Sequence, residues 1–319
     1  MLRGGLGWLG GFGMRGVGWG GSGRKGGRRV AIMAEVRGLR ADETDDALAL
    51  AGIAAAVDGV GPLSEHAMIA LRGGRPGRVV LEDGAVVGYA HLDPAADGED
   101  ASAELVVHPA HRRRGHGRAL LDAVRADAGG PLRVWAHGDL PAAAALAEAA
   151  GMERVRALFQ MRRPAADAPP TPSLAEGVTV RTFQPGRDEE AWLGVNARAF
   201  AHHPEQGSWT AGDLADREAE DWFDPAGFFL AERDGDLVGF HWTKIHPDGL
   251  GEVYVVGVDP SAQGLGLGRA LTLVGLHHLR DRGVPSVLLY VDESNAAAVR
   301  LYESLGFTRH AVDVMYGTP

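Results

Sequence analysis

Apolar and polar positions change period several times along the chain, and each change predicts an element. From about Val36 an extended run leads into helical spacing over Asp45 to Val57, and Pro62-Leu63-Ser64-Glu65 opens a second helix. Two β-rich runs, Arg78 to Glu82 and Ala85 to Leu92, are joined by Asp83-Gly84, a hairpin signal. A strand is predicted over Ala103 to Val107 and closed by His108-Pro109; the glycine-containing stretch Arg112 to Leu120 then feeds another helix. The clearest pattern lies later. Glu252 to Val258 is β-branched and apolar enough for a buried strand, Asp259-Pro260 ends it, and Arg269 onward has helical spacing. Val287 to Val291 is a further strand.

The pattern is duplicated. Aligning Val107-His108-Pro109 on Val258-Asp259-Pro260 sets Gly115, Gly117, Arg118, Ala119 and Leu120 on Gly266, Gly268, Arg269, Ala270 and Leu271. The hairpins answer each other as well, Asp83-Gly84 with Gly88 and Asp234-Gly235 with Gly239. Between the copies, residues 163–177 are rich in Pro and Ala and are expected to be an exposed linker. The expected organisation is two α/β (α+β) domains over residues 34–162 and 178–319, each a mixed, mostly antiparallel twisted sheet flanked by helices. The copies differ chemically. In this register Ala101 stands for Glu252, Ala147 for Tyr302 and Leu140 for Asn295, while Glu104 lies three positions from the Glu252 register. The first copy is therefore expected to be catalytically degenerate.

Composition narrows the class. The 319 residues are 45% hydrophobic and 23% charged, enough for two ordinary domains, and no apolar run reaches the ~20 residues of a membrane helix. The absence of cysteine excludes disulfides and thiolate metal sites and fits a cytoplasmic protein. A net charge of −10 argues against nonspecific nucleic-acid binding. Residues 1–33 stand apart. Of residues 1–29, thirteen are Gly and six are Arg or Lys with no acid, so this extension is expected to be disordered and to come from an over-extended start, with Met33-Ala34-Glu35-Val36 as the beginning of the fold.

Gln263-Gly264-Leu265-Gly266-Leu267-Gly268-Arg269 lies between a strand and a helix start, where glycines let the backbone turn and approach a ligand and free N–H groups attract phosphate. No P-loop Gly-Lys-Ser/Thr ending is present. With Asn295-Ala296-Ala297-Ala298-Val299-Arg300-Leu301-Tyr302 and Leu305-Gly306-Phe307, the stretch resembles motifs A and B of the GCN5-related N-acetyltransferases. The resemblance implies acetyl-coenzyme A as co-substrate and no metal. It implies coenzyme contacts at Val256, Gly257 and Val258, along Gln263 to Arg269, and along Asn295 to Arg300. In the first copy, Leu105, Val106, Val107, Arg113, Arg114, Gly115, His116, Gly117 and Arg118 are the corresponding coenzyme positions.

Acetyl transfer to an amine needs a held thioester, a neutral amine and a proton for the leaving thiolate. Glu252 is the candidate base and Tyr302 the candidate acid. Read without the family, Glu252 is equally an exposed strand-end charge, and Tyr302 a core residue on the stripe of Ala298, Leu301 and Leu305. A narrower resemblance, to tandem family members that acetylate the cysteinyl amine of a cysteinyl-glucosaminyl-inositol, rests on blocks such as Trp135-Ala136-His137-Gly138 and Phe240-His241-Trp242-Thr243-Lys244. It implies that Glu65, Glu205, Lys244, Glu252 and Tyr290 contact this thiol-sugar, in a cleft between the copies of a monomeric enzyme. Alternatives remain: another small-molecule or protein amine, or a coenzyme-binding module without turnover. His108, His111 and His116 are expected to be solvated, His202-His203 and His277-His278 to be surface or packing residues, and Trp209, Trp222 and Trp242 to be core or pocket wall.

Overall fold

The computed structural model describes residues 35–95, 100–201 and 204–318, with the side chains of residues 204 and 205 excepted, so the expectation for residues 1–33 lies outside the described residues. The first repeat runs β1 (Glu35–Gly38), α1 (Thr44–Asp58), α2 (Glu65–Arg72), β2 (Arg78–Glu82), β3 (Ala85–Asp93), β4 (Ala101–Val107), α3 (His116–Ala128), β5 (Leu132–Ala136), α4 (Pro141–Ala149) and β6 (Glu153–Pro164). The second runs β7 (Val178–Thr182), α5 (Glu189–Ala199), α6 (Pro204–Gly207), α7 (Ala211–Glu218), β8 (Phe228–Arg233), β9 (Asp236–Ile245), β10 (Gly251–Val258), α8 (Leu267–Asp281), β11 (Ser286–Asp292), α9 (Ala296–Ser304) and β12 (Thr308–Gly317). The class is the expected one, a mixed sheet flanked by helices. Among the described residues no helix is long and apolar enough to cross a membrane.

The sheets of the two repeats are continuous. Twelve strands lie in the order β1-β2-β3-β4-β5-β12-β6-β11-β10-β9-β8-β7, so each repeat's last strand sits beside the other repeat's penultimate one. Among the described residues only β4/β5 and β10/β11 pair in parallel. The exchange enters the cores: Phe159 and Met161 of β6 pack with Val287, Leu289, Leu276 and Leu305 of the second repeat, and Tyr316 of β12 packs against the first. Arg163 and Pro164, read from composition as linker, are instead the last residues of β6. Arg163 and Ala165 are buried, so the chain is still in the sheet where its composition turns linker-like.

The two middle strands differ by one residue. Between β3 and β4 the register is unbroken from Gly88↔Val107 to Asp93↔Ser102. Between β9 and β10 it shifts at Val253/Val255, leaving Tyr254 as a bulge. The counterpart of Glu252 is therefore Ser102, since Ser102 pairs with Asp93 and Arg133 as Glu252 pairs with Lys244 and Leu288. The sequence register that reached Ala101 is corrected by the extra residue, and Glu104 matches Val255. The C-terminal pairs hold: Leu140 and Asn295 are both N-caps, and the carbonyls of Ala147 and Tyr302 accept from Met152 and Phe307.

Candidate active site

The site begins where two parallel strands part. β10 pairs with β11 only over Gly251–Val253 against Val287–Leu289, and the bulge at Tyr254 then turns β10 away. The edge of β10 from Val255 to Val258 has no strand on that side, so its backbone groups face an open gap. At the end of the gap, Gly264 and Gly266 hold φ of +82° and +71°, a left-handed backbone that places the α8 N-terminus over the loop. Helix α8 starts at Leu267, two residues before the sequence-based expectation, so the unpaired N–H groups of its first turn belong to the cradle itself. Asn295 caps α9, its side chain accepting from Ala298 N–H at 3.1 Å.

Glu252, the second residue of β10, is 6% exposed and therefore not a solvated charge. It shares a face with Lys244 directly opposite on β9, and His246 Nε2 lies 2.7 Å from its carboxylate. A turn in which His246 N–H donates to Leu250 and Gly249 N–H donates to His246 folds this imidazole back over the strand. Val253, pointing the opposite way, packs in the cluster that holds Tyr302. Glu252 and Tyr302 therefore approach the parting strands from opposite faces. Tyr302 is 7% exposed, sits edge-to-face on Phe307 at 5.9 Å, and its hydroxyl makes no protein hydrogen bond among the described residues. Burial pushes its phenol up to about 12, which keeps it a proton donor.

A second cluster joins the repeats. Glu65, at the first turn of α2, accepts from Lys244 of β9 and from the Tyr254 hydroxyl at 2.6 Å. Arg217 of α7 donates to that hydroxyl at 2.9 Å and stacks over Trp209 at 3.8 Å, while the Lys244 ammonium lies 4.3 Å from the Trp222 ring centre. Burial and the Glu65 carboxylate raise the Tyr254 phenol well above its ordinary range. Lys244 thus pairs with Glu65, and the Glu205 side chain lies outside the described residues. Tyr290 is half exposed and takes a hydrogen bond from Gln160 at 2.7 Å; burial of its hydroxyl and the Glu252 charge push it up to about 12. Sequence reasoning missed His246, Tyr254 and Arg217. A turn-forming Pro-Asp-Gly after His246 was the only local signal available.

The first repeat keeps the loop but has its polar groups engaged elsewhere. Arg113 and Gly115 hold φ of +63° and +94°, the conformation of Gly264 and Gly266. Glu82 accepts from Arg114 at 2.6 Å and lies 2.7 Å from His111 and 3.0 Å from His116. These hydrogen bonds, led by His111, bring Glu82 down to about 2. His116 is buried, contrary to the expectation of a solvated ring. At the last pair before β4 and β5 part, Glu104 stands 3.4 Å from His137, which reaches Asp313 of β12 at 3.1 Å. Burial disfavours a charged His137, but Asp313 and Glu104 outweigh it and bring it up to about 10. The stabilisation this imidazolium supplies is complete below about pH 6.5 and is lost as pH rises toward 10. Thermal midpoints measured from pH 6.5 to 9.5 are expected to fall in the wild type and to fall less in His137→Gln.

The chain is similar to known proteins over most of its length. Residues 196–307 match the Acetyltransferase (GNAT) family and residues 76–151 the Acetyltransferase (GNAT) domain. The chain is 69% identical to the mycothiol acetyltransferase of Thermomonospora curvata, the match covering 88% of this chain and 96% of that one. It is 54% identical to the mycothiol acetyltransferase of Streptomyces coelicolor, over 91% and 96% of the two chains. Among solved structures, a GCN5-related N-acetyltransferase from Sphaerobacter thermophilus is 25% identical with a TM-score of 0.66, covering 89% of this chain and 95% of that one. A tandem GNAT protein from the clavulanic acid biosynthesis pathway, 23% identical with a TM-score of 0.67 over 89% and 98% of the chains, shares the fold. On these grounds the chain belongs to the mycothiol acetyltransferase family, a tandem branch of the GNAT acetyltransferases.

Proposed function

We propose that the protein transfers an acetyl group from acetyl-coenzyme A to the cysteinyl amine of cysteinyl-glucosaminyl-inositol, giving mycothiol and coenzyme A. The observation that carries this reading is the pair of buried groups on opposite faces of the parting strands, Glu252 with His246 on one and Tyr302 on the other. Acetyl-coenzyme A supplies a thioester, whose carbonyl carbon accepts the amine. The open edge of Val256, Gly257 and Val258 suits an extended pantetheine arm, and the turn from Gln263 to Arg269 with the α8 N-terminus suits its pyrophosphate. Asn295 to Arg300 complete that side. The first repeat's loop at Arg113 to Arg118 and the strand end Leu105 to Val107 form a second candidate coenzyme site.

Glu252 takes the proton that an ammonium must lose before it attacks, and His246 holds the carboxylate in place and passes the proton outward. Tyr302 gives its proton to the departing thiolate. With no cysteine in the chain, direct transfer is the simplest route. Glu65, Lys244 and Tyr290, joined by Glu205, receive the acceptor, whose ammonium and hydroxyls suit carboxylates, a lysine and a phenol. A turnover panel tests the assignment. With acetyl-coenzyme A present, cysteinyl-glucosaminyl-inositol is expected to exceed free cysteine, glucosamine and aminoglycosides by at least about 10²-fold in kcat/KM, a margin set by hydrogen-bonded hydroxyl recognition. Equal rates with free cysteine would remove the sugar from the recognition scheme. No turnover with any amine would favour a coenzyme-binding module.

A further inference from the structure

Outside the gap and its loops, one cluster of side chains among the described residues has the donor set of a metal centre. His66 of α2 and His91 and Asp93 of β3 converge so that Nε2 of each imidazole lies 3.0 Å from the same oxygen, Asp93 Oδ1. The three donor atoms all fall within 4.8 Å of one another. A four-coordinate ion with bonds of about 2.0–2.1 Å holds its ligands roughly 3.3 Å apart, close to both His–Asp distances, and the exposed His66 ring is the one free to adjust its spacing to His91. Two imidazoles and a carboxylate favour late first-row divalent ions over magnesium or calcium.

The surroundings fit a site open on one side. The His91 side chain is 4% exposed and fixed in the sheet, whereas those of His66 and Asp93 are 36% and 39% exposed, leaving a route in and room for water ligands. Of the charges near His66, Asp213 favours a cation while Arg75 and Arg217 oppose one. The cluster is no relic of the duplicated coenzyme machinery. Carrying the strand register across from Gly88 and Gly239, the second repeat has Trp242 and Lys244 where the first has His91 and Asp93.

We propose that His66, His91 and Asp93 form a site for one divalent cation of the zinc class, clamping α2 to β3. The clamp bears on its neighbour, because Glu65 precedes His66 on α2 and reaches across to Lys244 and Tyr254. Binding here is independent of which amine the enzyme acetylates. The test uses the untagged full chain, stripped with chelator and titrated with Co²⁺. The expected result is one ion per chain, a visible d–d absorption of four- or five-coordinate cobalt that Zn²⁺ abolishes, and a thermal midpoint raised by a few degrees. His66→Gln, on the more exposed side, is expected to lose the band and the thermal shift while its metal-free midpoint and circular dichroism stay wild type; Asp93→Asn is read the same way. No cobalt band in the wild type, or an equal band in both variants, overturns the proposal.

Discussion

Glu252→Gln is expected to lower kcat/KM for the cysteinyl acceptor by about 10²–10³-fold, the range typical of losing a positioned general base. The amide keeps the size of the side chain and still accepts from His246, so the strand and its turn should be unchanged. What it loses is the ability to take a proton. Acetyl-coenzyme A binding should be unaffected, because the loop from Gln263 to Arg269 lies beyond the bulge and does not involve residue 252. Raising the pH should recover part of the rate by supplying more neutral amine, whose pKa lies near ~8. Tyr302→Phe provides the contrast: it removes the proton meant for the thiolate, so its defect should not be recovered at high pH. Stopped assays across pH 6.5–9.5 separate the two patterns, and a Glu252→Gln rate within about threefold of wild type would assign the base elsewhere.

The second large effect concerns the exchanged strands. Residues 178–319 expressed alone are expected not to fold as a soluble monomer. Without β6, the edge of β11 is bare and the second core loses Phe159 and Met161, 4% and 1% exposed in the whole chain. Deleting side chains of this kind costs about 3–5 and 2–5 kcal/mol respectively. Whole-domain stability is only about 5–15 kcal/mol, and β12 would also lose its partners on both sides. Residues 35–177 face the converse loss of β12, which pairs with β5 and packs Tyr316 on the first core. Co-expression of the two pieces should restore a soluble one-to-one complex, seen by size exclusion and by a single cooperative melt. A monomeric, cooperatively melting 178–319 fragment would rule this out.

Much of this was legible in the sequence because it is local. Strand, glycine turn and helix start follow one another within about twenty residues, so the cradle at Gln263 to Arg269 and its copy at Arg113 to Arg118 stand out by spacing alone. Glu252, Tyr302 and Asn295 keep fixed offsets from those turns. The exchange was not legible: Phe159 and Met161 alternate with polar neighbours whichever strand lies beside them, and periodicity names a buried face without naming a partner. His246 was hidden because its role depends on a turn closing over Glu252. Glu82 was hidden because its partners come from the other side of a hairpin and strand, about thirty residues away. The mistaken equivalence of Ala101 with Glu252 came from counting residues through a strand in which two of them occupy the space of one.

That bulge at Tyr254 separates the repeats in a way no point mutation can reverse. Ser102 already stands at the Glu252 position, but without the extra residue β4 stays paired with β5 through Glu104, one pair further than β10 stays with β11. Giving the first half the earlier parting of its parallel strands would take a gained codon ahead of residue 105, and losing one at position 254 would carry the second half's pairing one step further.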